Sequence, residues 1–175
     1  MNLNEIREVL KIEYGNQKRK QGTPAYSHPF AVADILKAKG FNENYQTAGL
    51  LHDALEDTNM TYEEVAKISN EEIARIVKLL TKEKGYVMQN YWNGIMNDEK
   101  ARTVKLADRL HNLTEAVQTD KDFRKKYIKE TEDWYLKMAQ GTCFEEDINN
   151  ALQNLIKSLW TKGYFLINRC FHCKN

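Results

Sequence analysis

Apolar residues recur every three or four positions along nearly the whole chain, and the polar runs between them are short. Leu3, Ile6, Val9 and Leu10 predict a first helix that fades near Gly15. The segment "NQKRKQGTPAYS" carries no such period and holds Gly22 and Pro24, so a polar, basic loop is expected there. A second helix is expected from His28-Pro29 to Gly40, because proline is tolerated in a first turn. "NENYQTAGLLHDALED" predicts a third, broken by Thr58 and Asn59. Thr61 followed by Glu64 reads as a capping box for a short helix, and Ser69 or Asn70 as the cap of another ending near Lys84. Beyond Gly85, "YVMQNYWNGIMND" is aromatic and helical in pattern, and "EKARTVKLADRLHNLTEAVQ" is long and strongly periodic. "DFRKKYIKETEDWYLKMAQG" and "FEEDINNALQNLIKSLW" add two more helices. No stretch sustains strand alternation, and no repeat, low-complexity segment or linker interrupts the series. The expected fold is all-α: one domain over residues 1–162, followed by a tail over 163–175 where the pattern changes to "YFLINRCFHCKN".

Composition narrows the function classes. The 175 residues are 42% hydrophobic and 29% charged, the profile of a globular chain able to bury its own core. Lys plus Arg number 26 against 25 Asp plus Glu, so no global field draws the molecule to nucleic acid or anionic lipid. Any anion binding must come from a local cluster. No apolar run approaches the ~20 residues of a membrane span, and "MNLNEIREVL" lacks the apolar centre of a secretory signal. Three cysteines do not make a disulfide framework. Cys170, His172 and Cys173 form half of a zinc site with no second pair, and Cys143 reads as a buried or incidental thiol. A cytoplasmic protein that binds neither nucleic acid nor membrane is expected. The oligomeric state is not readable.

One stretch holds more metal-loving groups than its neighbours. In "LLHDALEDT", drawn as a helix, His52, Asp53, Glu56 and Asp57 fall within an arc of about 140°, opposite Leu50, Leu51, Ala54 and Leu55. Taken alone, this is also the pattern of an amphipathic helix with a solvated acidic side. His28, at the start of the second helix, and Asp108, in "VKLADRLHN", are further candidates. Two histidines and two aspartates from three helices are able to converge on one divalent cation. Mixed nitrogen and oxygen donors suit Mn²⁺, Fe²⁺ or Zn²⁺ better than Ca²⁺.

The order His28, His52-Asp53, Asp108 resembles the metal signature of the HD phosphohydrolase superfamily. More particularly, "RKQGTPAYSHP", "LLHDALEDT", "IVKLLTKEK" and "VKLADRLHNL", in that order, resemble the hydrolase domain of RelA/SpoT proteins and the stand-alone small alarmone hydrolases. The resemblance covers roughly residues 1–140. It implies an HD-domain helical bundle that holds one Mn²⁺ through His28, His52, Asp53 and Asp108 and removes the 3′-pyrophosphate of guanosine tetra- or pentaphosphate. Glu56 and Asp57 match the catalytic acidic pair. Arg19, with Lys20 beside it, matches the loop arginine near the nucleotide, and Asn112 an asparagine that contacts the substrate.

The chemistry is coherent with those residue types. Ester hydrolysis at neutral pH needs an activated water, which a divalent metal supplies. Glu56, about one turn beyond His52, is placed to orient that water or take its proton. The run Lys18-Arg19-Lys20 offers a polyanion the attraction that the near-neutral whole does not. Two departures bear on the nucleotide pocket: Ala25 separates the loop proline from Tyr26, and Leu113-Thr114-Glu115 puts an acid after Asn112. An HD phosphohydrolase of another nucleotide, such as a nucleoside monophosphate or the 2′-phosphate of NADPH, is the alternative enzyme. A nucleotide-binding regulatory module without turnover is the rival of another class. Because the sequence ends where a synthetase domain would follow, hydrolysis is the only activity expected. Lys125, Lys126 and Lys129 read as a solvated helical face ahead of a reach to a distal phosphate, and Tyr86, Tyr91 and Trp92 as core ahead of one side of a base-stacking pocket.

Overall fold

The computed structural model describes residues 1–161. Over them the chain is helical, with no strand and one isolated bridge, between Lys18 and Pro24. The all-α expectation holds. The Cys170–Cys173 motif lies outside the described residues. Contacts divide the chain into two compact units, Met1–His111 and Asn112–Asn175.

In the first unit, α1 (Leu3–Tyr14) begins with a capping box: the Asn2 side chain accepts from the Asn4 and Glu5 amides, and Glu5 accepts from the Asn2 amide. The loop that follows is a tight hairpin. Arg19 N–H donates to Thr23 O and Ala25 N–H to Gln17 O, each at 2.9 Å. α2 (Ser27–Ala38) packs against α3 (Glu43–Leu51), which Asn42 caps. α5 (Tyr62–Ile68) opens on the expected Thr61–Glu64 box, and Asn70, not Ser69, caps α6 (Glu71–Leu80). α4 is a single turn, Ala54–Asp57; α7 is Met88–Met96 and α8 Glu99–Ala116. Ile6, Leu10, Leu36, Leu50, Leu51, Ile73 and Ile76 are buried at the centre of this unit.

Two boundaries differ from the sequence pattern. The third helix does not run through "LLHDALED": it stops at Leu51, His52 and Asp53 form a turn, and Asp53 sits at φ −105°, ψ 3°. The Asp53 carbonyl then accepts the Glu56 and Asp57 amides to start α4. α6 ends at Leu80, short of Lys84, with Thr81 extended. The Lys82 amide that would have continued the helix donates instead to Glu56 Oε2 at 3.0 Å.

Gly49 sets how closely α3 lies on α2. A Cβ there would meet Leu36 Cδ1 at 2.7 Å and the Ala33 backbone at 3.4 Å. Leu36 is fully buried and has little room to move aside. Overpacking costs about 1–3 kcal/mol, against about 1 kcal/mol gained in helix propensity. Gly49→Ala is therefore expected to lower the thermal midpoint by a few degrees, read by circular dichroism. An unchanged or higher midpoint would mean that the contact is slack.

In the second unit, α9 (Lys121–Glu130), a π-helical turn (Thr131–Tyr135) and α10 (Leu136–Ala139) replace the single helix the pattern predicts, and α9 and α10 pack on α11 (Glu145–Thr161). Tyr135, Phe144, Ile148 and Leu155 are buried, and Arg124, also buried, donates to Ser158 O at 2.7 Å. Lys125, Lys126 and Lys129 lie on an exposed face, paired with Asp122, Glu130 and Asp133. Cys143 is exposed, not buried.

Candidate metal centre

Three pieces of the first unit bring four side chains together: the first turn of α2 supplies His28, the turn after α3 supplies His52 and Asp53, and α8 supplies Asp108. His28 Nε2 lies 3.1 Å from Asp108 Oδ1 and 3.4 Å from Asp53 Oδ2. His52 Nε2 lies 3.0 Å from Asp53 Oδ2 and 3.8 Å from Asp108 Oδ1. Both imidazoles and Asp108 are buried. Asp108 is turned by Lys105, one helical turn earlier, whose Nζ is 2.8 Å from Oδ2 and leaves Oδ1 to the histidines.

The donor set fits a divalent cation. His52 Nδ1 is 2.7 Å from the carbonyl of Gly49, which can only accept, so that nitrogen carries the proton. The lone pair of Nε2 then faces two carboxylate oxygens, and this buried atom has no hydrogen-bond partner. A lone pair aimed at anions is repulsive unless a cation or a proton lies between them. The electrostatics agree. Burial alone would lower His52, but Asp53 and Asp108 outweigh it and push it up to about 10. Burial would likewise raise both aspartates, yet His52 holds Asp53, and Lys105 with the histidines holds Asp108, well below the ordinary carboxylate range. The space between these groups is suited to a positively charged occupant.

A family model described as HD domain matches residues 7–142. The chain belongs to the HD domain family. Among curated proteins it is 37% identical over 140 residues to the guanosine-3′,5′-bis(diphosphate) 3′-pyrophosphohydrolase of Aquifex aeolicus, covering 75% of this chain and 20% of that one. It is 34% identical over 164 residues to the GTP pyrophosphokinase rsh of Brucella ovis, covering 87% and 22%. The chain thus spans about a fifth of the length of these relatives. Among solved structures, a metazoan ortholog of SpoT described as hydrolysing ppGpp superposes with a TM-score of 0.73. That match covers 89% of this chain and 95% of the other at 24% identity, and establishes a shared fold. A Listeria monocytogenes protein matches with a TM-score of 0.58 and 27% identity, covering 77% and 98%.

Around the centre of this HD domain the other candidates fall differently. Asp57 is exposed, yet partial desolvation, then the charges of Asp53 and Glu56, push its carboxyl up to about 6 against the opposite pull of His52 and His28. Glu56 is exposed and held through Oε2 by the Lys82 amide. Arg19 is half-buried on the hairpin and Lys20 exposed, and the Gln17 side chain ties that hairpin to the Asp57 carbonyl at 3.1 Å. Asn112, one turn beyond Asp108 on α8, is half-buried and opens the second unit.

Three nearby residues escaped the sequence reading. Lys105 and His111 flank Asp108 at three residues on either side, a spacing that marks helical neighbours. Tyr14, at the end of α1, is buried; burial and the charges of Asp53 and Asp57 raise its hydroxyl far above the usual phenol range. It stays neutral beside the acids. The aromatic segment is not core as expected. Tyr86 is exposed and Tyr91 half-buried, with Lys82 Nζ 5.4 and 5.5 Å from their ring centres.

Proposed function

We propose that this chain hydrolyses the 3′-pyrophosphate of guanosine tetra- or pentaphosphate, giving GDP or GTP and pyrophosphate, with Mn²⁺ held by His28, His52, Asp53 and Asp108. The observation that carries the reading is the convergence of two imidazole nitrogens and two carboxylates beside a further acidic pair. The names of the Aquifex and metazoan relatives support the substrate. Residues 1–162 act as one hydrolase domain, a reading supported by a family match that runs across both units.

The cation supplies a Lewis acid beside the phosphoryl group and makes water nucleophilic near neutral pH. Glu56, with one oxygen held by the Lys82 amide, keeps the other for the proton of the attacking water. Water adds at the phosphorus next to the ribose 3′-oxygen, the bond to that oxygen breaks, and the 3′-hydroxyl is restored as pyrophosphate leaves. Arg19 and Lys20 hold phosphate oxygens, and Asn112 keeps the substrate-contact role its motif position implies. Among the described residues no helix is long and apolar enough to cross a membrane, and we place the protein in the cytoplasm.

The test is turnover of ppGpp with Mn²⁺, with NADPH and GMP in parallel and products separated by anion exchange. Pyrophosphate and GDP from ppGpp are expected. Turnover of NADPH or GMP alone would keep the hydrolase and discard the alarmone. Silence on all three with Mn²⁺ bound would favour a binding module. Asp57 is a carboxylate only above about pH 6, so the rate should climb with pH through that value and then level off. Asp57→Asn is expected to lower kcat about 10²-fold and to erase that limb. A wild-type profile flat from about pH 5 to 8 would remove Asp57 from the chemistry. The same shift has an opposite sign for stability, since a carboxyl with a raised folded pKa favours the fold below its ordinary value of 3.8 and loses that benefit as pH rises through about 6.

A further inference from the structure

His28 is gripped at both ring nitrogens. Nε2 faces Asp108 and Asp53, and Nδ1 lies 2.8 Å from Nδ1 of His111, with the ring centres 4.9 Å apart and the planes at 39°. His111 follows Asp108 by one turn of α8, so the helix that brings a carboxylate to one nitrogen of His28 also brings a partner to the other. His52 has the same arrangement with a different partner, the Gly49 carbonyl. A carbonyl only accepts, so the tautomer of His52 is set by the backbone. An imidazole nitrogen either accepts or donates, so the tautomer of His28 is set by that of His111.

We propose that His111 is the positioning residue of His28. Its Nδ1 lone pair accepts the Nδ1 proton of His28, its own proton resides on Nε2, and the His28 Nε2 lone pair is thereby turned toward the cation. Were His111 to donate instead, His28 would carry its proton on Nε2 and be lost as a ligand. The inference rests on the metal reading above and adds to it a residue outside the four proposed ligands. Partners of this kind fix ring orientation and raise ligand basicity, and their loss typically weakens metal binding about 10- to 100-fold.

The test compares His111→Leu with His111→Asn in titrations of the full chain with Mn²⁺ alone, free Mn²⁺ being read by electron paramagnetic resonance. Leucine fills the space without an acceptor, whereas the asparagine side-chain oxygen falls near the position of Nδ1 and accepts. His111→Leu is expected to raise the Mn²⁺ dissociation constant about 10-fold or more, and His111→Asn to stay within about threefold of wild type. Circular dichroism confirms that both are folded. Equal weakening in the two variants would mean that packing and not hydrogen bonding is what His111 supplies, and the proposal would fall. So would a leucine variant that binds as wild type does. Asp108→Ala separates the two levels: wild type and Asp108→Ala that are alike in taking up no Mn²⁺ would overturn the metal reading, and the positioning role with it.

Discussion

Asp53→Ala is expected to leave a folded protein with ppGpp turnover reduced by at least about 10³-fold and Mn²⁺ affinity greatly weakened. The size of the effect follows from position. A single oxygen, Oδ2, lies within 3.4 Å of both imidazole Nε2 atoms, so it is the donor that ties the two histidines into one site. Its carboxyl is held ionised by His52 and His28 against the pull of burial. Alanine leaves two imidazoles and Asp108, one anion fewer around a doubly charged ion, and it opens the gap between His28 and His52. No neighbouring acid takes its place, because Asp57 and Glu56 follow on α4, a turn away. Turnover within about tenfold of wild type at saturating Mn²⁺ would show that the cation, if used, is held elsewhere.

Lys105→Met is expected to act first on stability. Lys105 and Asp108 are 7% and 5% exposed and 2.8 Å apart, and removing one member of a buried pair commonly costs about 3–5 kcal/mol. For a chain of this length that corresponds to a drop of roughly 10 °C in thermal midpoint without metal. Mn²⁺ should restore part of the loss, since it supplies the compensating charge to the same carboxylate and binds only the folded state. The variant should therefore gain more from Mn²⁺ than wild type does. A metal-free midpoint within about 2 °C of wild type would mean that Asp108 tolerates burial without Lys105.

Local signals carried much of the fold. The Thr61–Glu64 box, Asn70 before α6 and Gly15 after α1 are chemistry between near neighbours, visible in a one-dimensional pattern. The break at His52–Asp53 was not, because neither residue is a helix breaker and the turn is stabilised by contacts across helices. The π-helical turn at Thr131–Tyr135 has no pattern of its own either. For the site, the order of His28, His52-Asp53 and Asp108 points to four side chains that the structure brings together, whereas the second pair sits in a turn and not on a continuous helix. Lys105 and His111 were open to detection from their spacing to Asp108, whereas Tyr14 reaches the acids only through tertiary packing. Tyr86 and Tyr91 read as core because aromatic periodicity does not distinguish a buried face from a cation-covered rim.

Gly49 joins two roles in one residue: its missing side chain lets α3 rest on α2, and its carbonyl holds the His52 ring. Replacing helical glycines is an ordinary route to a more heat-resistant protein. Here that route is closed, because a Cβ at Gly49 would meet Leu36, and a shift of α3 that relieved the contact would also move the carbonyl that orients a site imidazole. A version of this domain adapted to high temperature would have to gain its margin elsewhere, at surface ion pairs or loops, and keep this glycine.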